Sequence, residues 1–162
     1  MEKDIYFMEK AIDMAKIAYK KREVPVGCVI VKDGEIISTG YNRVEEMNNP
    51  LLHAEIIAIN EACRKLDTWR LLDCTLYVTL EPCLMCTGAL IQSRIGRIVF
   101  GCRDYKRGCI SSIMNLLDDN RFNHKVEYSE EVLVEKCTNL MSSFFKEIRE
   151  EKKVKKRKST IL

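Results

Sequence analysis

The sequence predicts a single-domain α/β fold. Three observations predict it. Short apolar runs without helical period recur at 26–31, 75–80 and 97–101, amphipathic stretches with three-and-four spacing lie before, between and after them, and no internal repeat or linker interrupts the series. At 162 residues and 46% apolar composition, the chain has the length of one domain and enough apolar material for one sizeable core.

From Asp4 to Arg22, Ile5, Met8, Ala11, Ile12, Ala15, Ala18 and Tyr19 form one helical face, which Val24-Pro25 is expected to close. Val26 to Val31 reads as a buried strand. Lys32-Asp33-Gly34-Glu35 carries the Asp-Gly hairpin signal, and Ile36 to Asn42 returns as its partner. Residues 43–50 read as polar loop, and His53 to Leu66 as a second helix. Thr75 to Leu80 is a strand rich in β-formers. Pro82 then stands where a helix prefers to begin, with that helix running to about Ser93 and closed by Gly96. Arg97 to Gly101 is another strand. Residues 103–124 form a long polar connection with a helical piece at Ile113–Leu117, and long connections in compact domains often carry function. Val126 to Tyr128 reads as a last strand. The final helix runs from Glu130 to about Arg149, with Leu133, Cys137, Leu140, Met141, Phe144 and Ile148 on one face.

Charge is unevenly spread. Six of the seven residues from Lys152 to Lys158 are basic, and removing these six charges from the net +3 leaves −3 for the rest of the chain. Residues 1–151 are therefore expected to be the domain, with 152–162 a basic C-terminal tail that suits a polyanionic partner or simply keeps the protein dissolved. No stretch has the length of apolar sequence a membrane helix needs, nor does the N-terminus resemble a signal peptide, so a cytoplasmic protein is expected. In a reducing compartment, eight cysteines point to metal binding, catalysis or burial rather than a disulfide scaffold. Only Cys83 and Cys86 are spaced as a ligand pair. The remaining six, Cys28, Cys63, Cys74, Cys102, Cys109 and Cys137, read as small buried apolar residues.

Two short motifs carry the chemistry: His53-Ala54-Glu55, and Pro82-Cys83-Leu84-Met85-Cys86. Cysteines at i and i+3 share a helical face and can reach one ion. In a first helical turn, unpaired N–H groups and the positive end of the dipole favour thiolate. His53 completes three protein ligands, the number that leaves a coordination position for water in a catalytic zinc site, whereas a structural site takes four. Glu55 is the residue type for a proton shuttle, which would take a proton from water and pass it to the substrate and its leaving group. In a regular helix, residues i and i+2 point about 200° apart, so this reading requires His53 at the helix start. Either motif alone is weak; their order and placement match the His-x-Glu and Pro-Cys-x-x-Cys signature of zinc nucleobase deaminases.

Beyond these motifs, Arg22-Glu23-Val24-Pro25-Val26-Gly27, Gly40-Tyr41-Asn42-Arg43, Leu76-Tyr77-Val78-Thr79-Leu80-Glu81, Ser93-Arg94-Ile95-Gly96-Arg97, Phe100-Gly101-Cys102-Arg103-Asp104, Asn123-His124-Lys125-Val126-Glu127 and Phe144-Phe145 extend the match over nearly the whole chain. On these blocks the sequence resembles the bacterial transfer-RNA-specific adenosine deaminases, which convert wobble adenosine to inosine. The resemblance implies a three-layer α/β/α cytidine-deaminase-like fold with a mixed five-stranded sheet, and one zinc ion per subunit. A homodimer whose subunits both contact the anticodon stem-loop is implied as well. It further implies that Asn42 and the Ala54 backbone meet the flipped base, that Asp104, Lys106 and Arg107 lie near the anticodon, and that Phe144, Phe145, Lys146 and Arg149 line the RNA groove.

Each of these has a plainer rival on residue type alone: Asn42 as a turn residue, Asp104 as a cap, His124 as a hydrogen-bonded structural histidine, and one of the adjacent Phe144 and Phe145 as core. Two other activities compete. A free nucleobase or nucleoside deaminase, for guanine or cytosine, would share the zinc motif without needing a basic groove. A catalytically silent RNA-binding subunit would have no use for Glu55.

Overall fold

Side-chain alternation along the central strands decides the layering. The computed structural model describes residues 1–160. In β1 (Gly27–Lys32), β3 (Cys74–Leu80) and β4 (Arg97–Cys102), Cys28, Ile30, Leu76, Val78, Ile98 and Phe100 face one way. There they bury Ala54, Ala58, Ile59 and Ala62 of α3 (Ala54–Leu66) and Leu90 and Ile91 of α4 (Leu84–Gln92). Val29, Val31, Tyr77 and Val99 face the other way, onto Phe7, Met8, Ala11 and Ile12 of α1 (Glu2–Lys20) and Cys137 of α5 (Val134–Thr160). A sheet apolar on both faces must be covered twice. The result is the expected three-layer α/β/α arrangement.

The sheet has the order β2-β1-β3-β4-β5, with β2 spanning Glu35–Tyr41 and β5 Glu127–Ser129. β1 runs antiparallel to both neighbours, while β3, β4 and β5 are mutually parallel. β2 and β3 therefore point the same way across β1, and the helices that follow them both begin at one edge of the sheet. That edge holds the site. The β1–β2 hairpin turns at Asp33 (φ 51°) and Gly34 (φ 79°), the paired positive dihedrals of the Asp-Gly turn read from the sequence.

Several boundaries differ from the sequence reading. α1 ends at Lys20, because Arg22 adopts φ 61° and the Glu23 N–H closes onto the Ala18 carbonyl; the Val24-Pro25 pair lies beyond the stop. Within the 43–50 loop, Val44–Met47 forms a single-turn helix, α2. α4 begins at Leu84 with Cys83 as its N-cap, so Pro82 precedes the helix instead of starting it. Its closure falls to Arg94 (φ 58°), with the Ile95 N–H on the Leu90 carbonyl, and not to Gly96. Ile113–Leu117 is not helical. α5 starts at Val134, four residues later than the pattern suggested, and continues without a break to Thr160. The basic stretch expected as a tail is thus helical over its described part, and residues 161–162 lie outside the described residues. No helix among the described residues is long and apolar enough to cross a membrane.

Candidate active site

His53 and Cys83 occupy the same structural position, the N-cap of a helix at the same sheet edge. Both have extended backbone, His53 with φ −73° and ψ 154°, Cys83 with φ −74° and ψ 177°. Neither side chain caps its helix, which leaves both free to act as ligands. The carbonyls do the local work: His53 O accepts from Ile57 and Cys83 O from Thr87. Gly40 lets the first of these helices sit close to β2, since a Cβ there would lie 2.1 Å from the Ala54 carbonyl oxygen.

The His53 Nδ1 is 3.6 Å from Cys83 Sγ and 3.5 Å from Cys86 Sγ. With zinc–sulfur and zinc–nitrogen bonds of about 2.3 and 2.0–2.1 Å, a tetrahedral site has a sulfur-to-nitrogen edge of about 3.6 Å. The donor set therefore fits zinc in chemistry and spacing, and these three residues form the one such cluster found among the described residues. Hydrogen bonding from Cys86 and His53 holds the Cys83 thiol at about 3, and the His53 imidazole is raised by its bond to Cys83.

Glu55 is buried at 3% exposure beside this trio, and its Oε2 has no hydrogen-bond partner. Burial pushes its carboxyl up to about 7. An unpartnered buried carboxylate oxygen is costly and rare in a finished fold, and here it stands next to a trio that supplies three of the four donors a zinc ion takes.

Asn42, at the end of β2, is buried, and its Oδ1 accepts the Ala54 N–H at 2.9 Å. That contact uses the Ala54 donor and leaves the Asn42 amide NH2 as the available group. Asp104 caps a turn, with Oδ1 accepting from the N–H groups of Lys106 and Arg107. Tyr105, Lys106 and Arg107 are exposed. The phenylalanine pair divides: Phe144 is buried under Arg22, whereas Phe145 is 40% exposed. Lys146 and Arg149 are exposed on the same helix. His124 accepts the structural role, its Nε2 lying 2.7 Å from the Ile95 carbonyl oxygen. Of the six other cysteines, all but the half-buried Cys63 are buried, and burial raises the thiols of Cys28, Cys102 and Cys137.

Sequence reasoning passed over Glu81. It sits between β3 and Pro82-Cys83, is buried, and accepts hydrogen bonds from the N–H groups of Asp104, Ile110, Ser111 and Ser112 and from the Ser112 hydroxyl. Burial alone would raise its carboxyl, but these donors prevail and hold it below the usual range. The available signal was an acidic residue inside an otherwise apolar strand-to-helix junction.

The pattern describing the cytidine and deoxycytidylate deaminase zinc-binding region matches residues 1–102. A tRNA-specific adenosine deaminase of Bacillus subtilis is 49% identical over 153 residues, covering 94% of this chain and 95% of that one. One from Aquifex aeolicus is 50% identical over 144 residues, covering 89% and 95%. Among solved structures, one from a study of A-to-I editing by tRNA:A34 deaminases at the wobble position superposes with a TM-score of 0.80 at 36% identity. It covers 83% of this chain and 98% of that one.

Proposed function

The chain belongs to the cytidine and deoxycytidylate deaminase family and, within it, to the tRNA-specific adenosine deaminases, and from that membership we infer that it hydrolyses wobble adenosine 34 of transfer RNA to inosine. The observation that carries the reading is the buried, unpartnered Glu55 oxygen beside the His53, Cys83 and Cys86 trio.

In the overall reaction water replaces the amine at C6, and ammonia leaves. His53, Cys83 and Cys86 would hold one zinc ion per subunit, and such an ion supplies the Lewis acidity that brings the pKa of water toward neutrality. Glu55 moves the protons. A carboxyl that burial raises from its ordinary value can accept a proton and return it, first to the purine ring nitrogen and then to the departing amine. Burial keeps bulk water from competing with that transfer. The Asn42 amide NH2 is suited to donate to a purine acceptor, with Ala54 fixing its orientation.

RNA contact is supported by charge and by one helix face. At about 100° per residue, Phe145, Lys146, Arg149, Lys152, Lys153 and Lys156 of α5 fall within an arc of about 120°. Glu147 and Glu151 lie on the other side, where both pair with Arg22. The exposed face therefore offers an aromatic ring for stacking followed by a row of cations for phosphates. Phe144 is packed inside and supports that face from beneath. On the other flank, Asp104 shapes the turn that presents Lys106 and Arg107. Residues 1–151 are the catalytic domain in this reading, with the basic end of α5 extending it. Exposed Met47, Leu51 and Leu84 near the site favour a homodimer, and a transfer-RNA substrate supports a cytoplasmic location.

The test is inosine formation by the purified, zinc-loaded protein on an adenosine-starting anticodon stem-loop, in parallel with free bases and nucleosides. Conversion of the stem-loop alone is expected. Turnover of a free base with an inert stem-loop would leave the zinc chemistry standing and remove the RNA reading.

A further inference from the structure

The connection after β4 has no regular secondary structure from 103 to 112, yet it is held at many points, and five of its hydrogen bonds converge on one side chain. The Glu81 Oε2 accepts the Asp104 N–H at 3.0 Å. Its Oε1 accepts the N–H groups of Ile110, Ser111 and Ser112 at 3.1, 2.6 and 3.0 Å, and the Ser112 hydroxyl donates to Oε2. The partners are neutral donors, four of them backbone groups that no ladder of regular structure pairs. A buried anion here does what a secondary-structure ladder does elsewhere: it satisfies the loop's amides and so fixes the loop's shape.

The fit is tight from both sides. A Cβ on Gly108 would lie 2.3 Å from the Glu81 Cδ and Oε2, although the Gly108 backbone conformation is open to any residue. The backbone joins in as well. The Cys109 N–H bonds the Pro82 carbonyl at 3.0 Å, and Gly108 bridges Cys83. One side of this clasp is thus the turn carrying a metal ligand, and the other is the segment presenting Lys106 and Arg107.

We propose that Glu81 is a positioning residue for the RNA substrate: its buried carboxylate holds the 104–112 loop in register with the turn that carries Cys83. The proposal rests on the functional reading above, since it takes this loop to meet the RNA. Glu81 touches neither substrate nor metal. It sets the distance between the two walls that do.

The experiment uses the full-length, zinc-loaded protein with Glu81→Gln, Gly108→Ala, and the pair Glu81→Asp with Gly108→Ala. Gln keeps one acceptor oxygen but turns an NH2 donor toward backbone donors. Ala at 108 pushes the carboxylate from the other side and keeps the proposal testable if the Gln variant does not fold. The pair shortens the acid to make room for the methyl. Zinc content, amide hydrogen exchange across 104–112, and kcat and KM on the stem-loop are measured. The expected result is unchanged zinc, exchange faster by about tenfold or more at 104 and 110–112, and a KM raised by about tenfold or more with a smaller change in kcat. The pair should bring KM part of the way back from its Gly108→Ala value. Faster exchange with wild-type KM would overturn the proposal by making the clasp a matter of stability alone, and zinc loss would overturn it by moving the effect to the metal site. Both results would leave wild-type turnover of the stem-loop intact, whereas an inert wild type would first remove the functional reading.

Discussion

His53 and Glu55 are two residues apart, a spacing that sends side chains to opposite sides of a regular helix. The cap conformation removes the conflict, because His53 leaves the helix with ψ 154° while Glu55 lies inside the first turn. Replacing Glu55 by Gln keeps the shape and removes the proposed proton carrier. Turnover should fall by about 10²- to 10⁴-fold, with metal content by elemental analysis unchanged. Residual activity near wild type in a fully zinc-loaded variant would rule out this role. The ligand trio and Glu55 were legible in the sequence because each motif is local, and both begin helices. Glu81 was not legible in this way. Its donors lie 23 to 31 residues downstream, and no spacing rule connects a strand-end acid to amides in an irregular loop.

Among elements, the long amphipathic and β-rich segments were legible as to type, since hydrophobic period reports which face is buried. Ends were less so. Arg22 and Arg94 stop helices with left-handed backbone that nothing in an arginine announces. Ile113–Leu117 has a helical pattern, but the amides leading into it are committed to Glu81, and the Ile113 and Leu116 N–H groups close wide loops onto Gly108 and Cys109. The basic stretch reads as a tail from its charge, although lysine and arginine are good helix formers. If its row of cations meets phosphates, replacing Lys152, Lys153 and Lys156 by Gln should weaken stem-loop binding. It should also flatten the dependence of log K on log salt by roughly 0.7 to 0.9 for each phosphate no longer neutralised. Titrations at several salt concentrations would show it; parallel lines for variant and wild type would exclude a role for these cations in binding.

At the scale of the whole molecule, the mixed five-stranded sheet came from family resemblance, and the order of its strands was not legible at all, because period gives faces and not neighbours. The edge opposite the site has its own anchor. Arg97 grips Asp4 through two bonds of 2.9 Å, the Tyr77 hydroxyl donates to the same carboxylate, and Arg97 also donates to Ser129, joining α1 to β3, β4 and β5. The Arg97 hydrogen bond leads the effects that hold Asp4 below its ordinary 3.8. Its stabilisation is therefore complete above that value and lost as pH falls through the lower, folded one. Asp4→Asn should be less stable than wild type in urea at pH 7, and the gap should close at strongly acidic pH, with kcat unaffected. A gap that persists in acid would mean the pair contributes nothing through its charge. The continuity of α5 has a consequence of its own. Since one unbroken helix joins the half packed on Arg22 to the cationic half, the direction in which those cations point is a matter of phase. A single alanine inserted after Glu151 would rotate them by about 100° and leave every charge in place, while four would bring them back to within about 40°. Affinity for RNA should then rise and fall with the helical repeat, as a screw thread engages only when its start is correctly clocked.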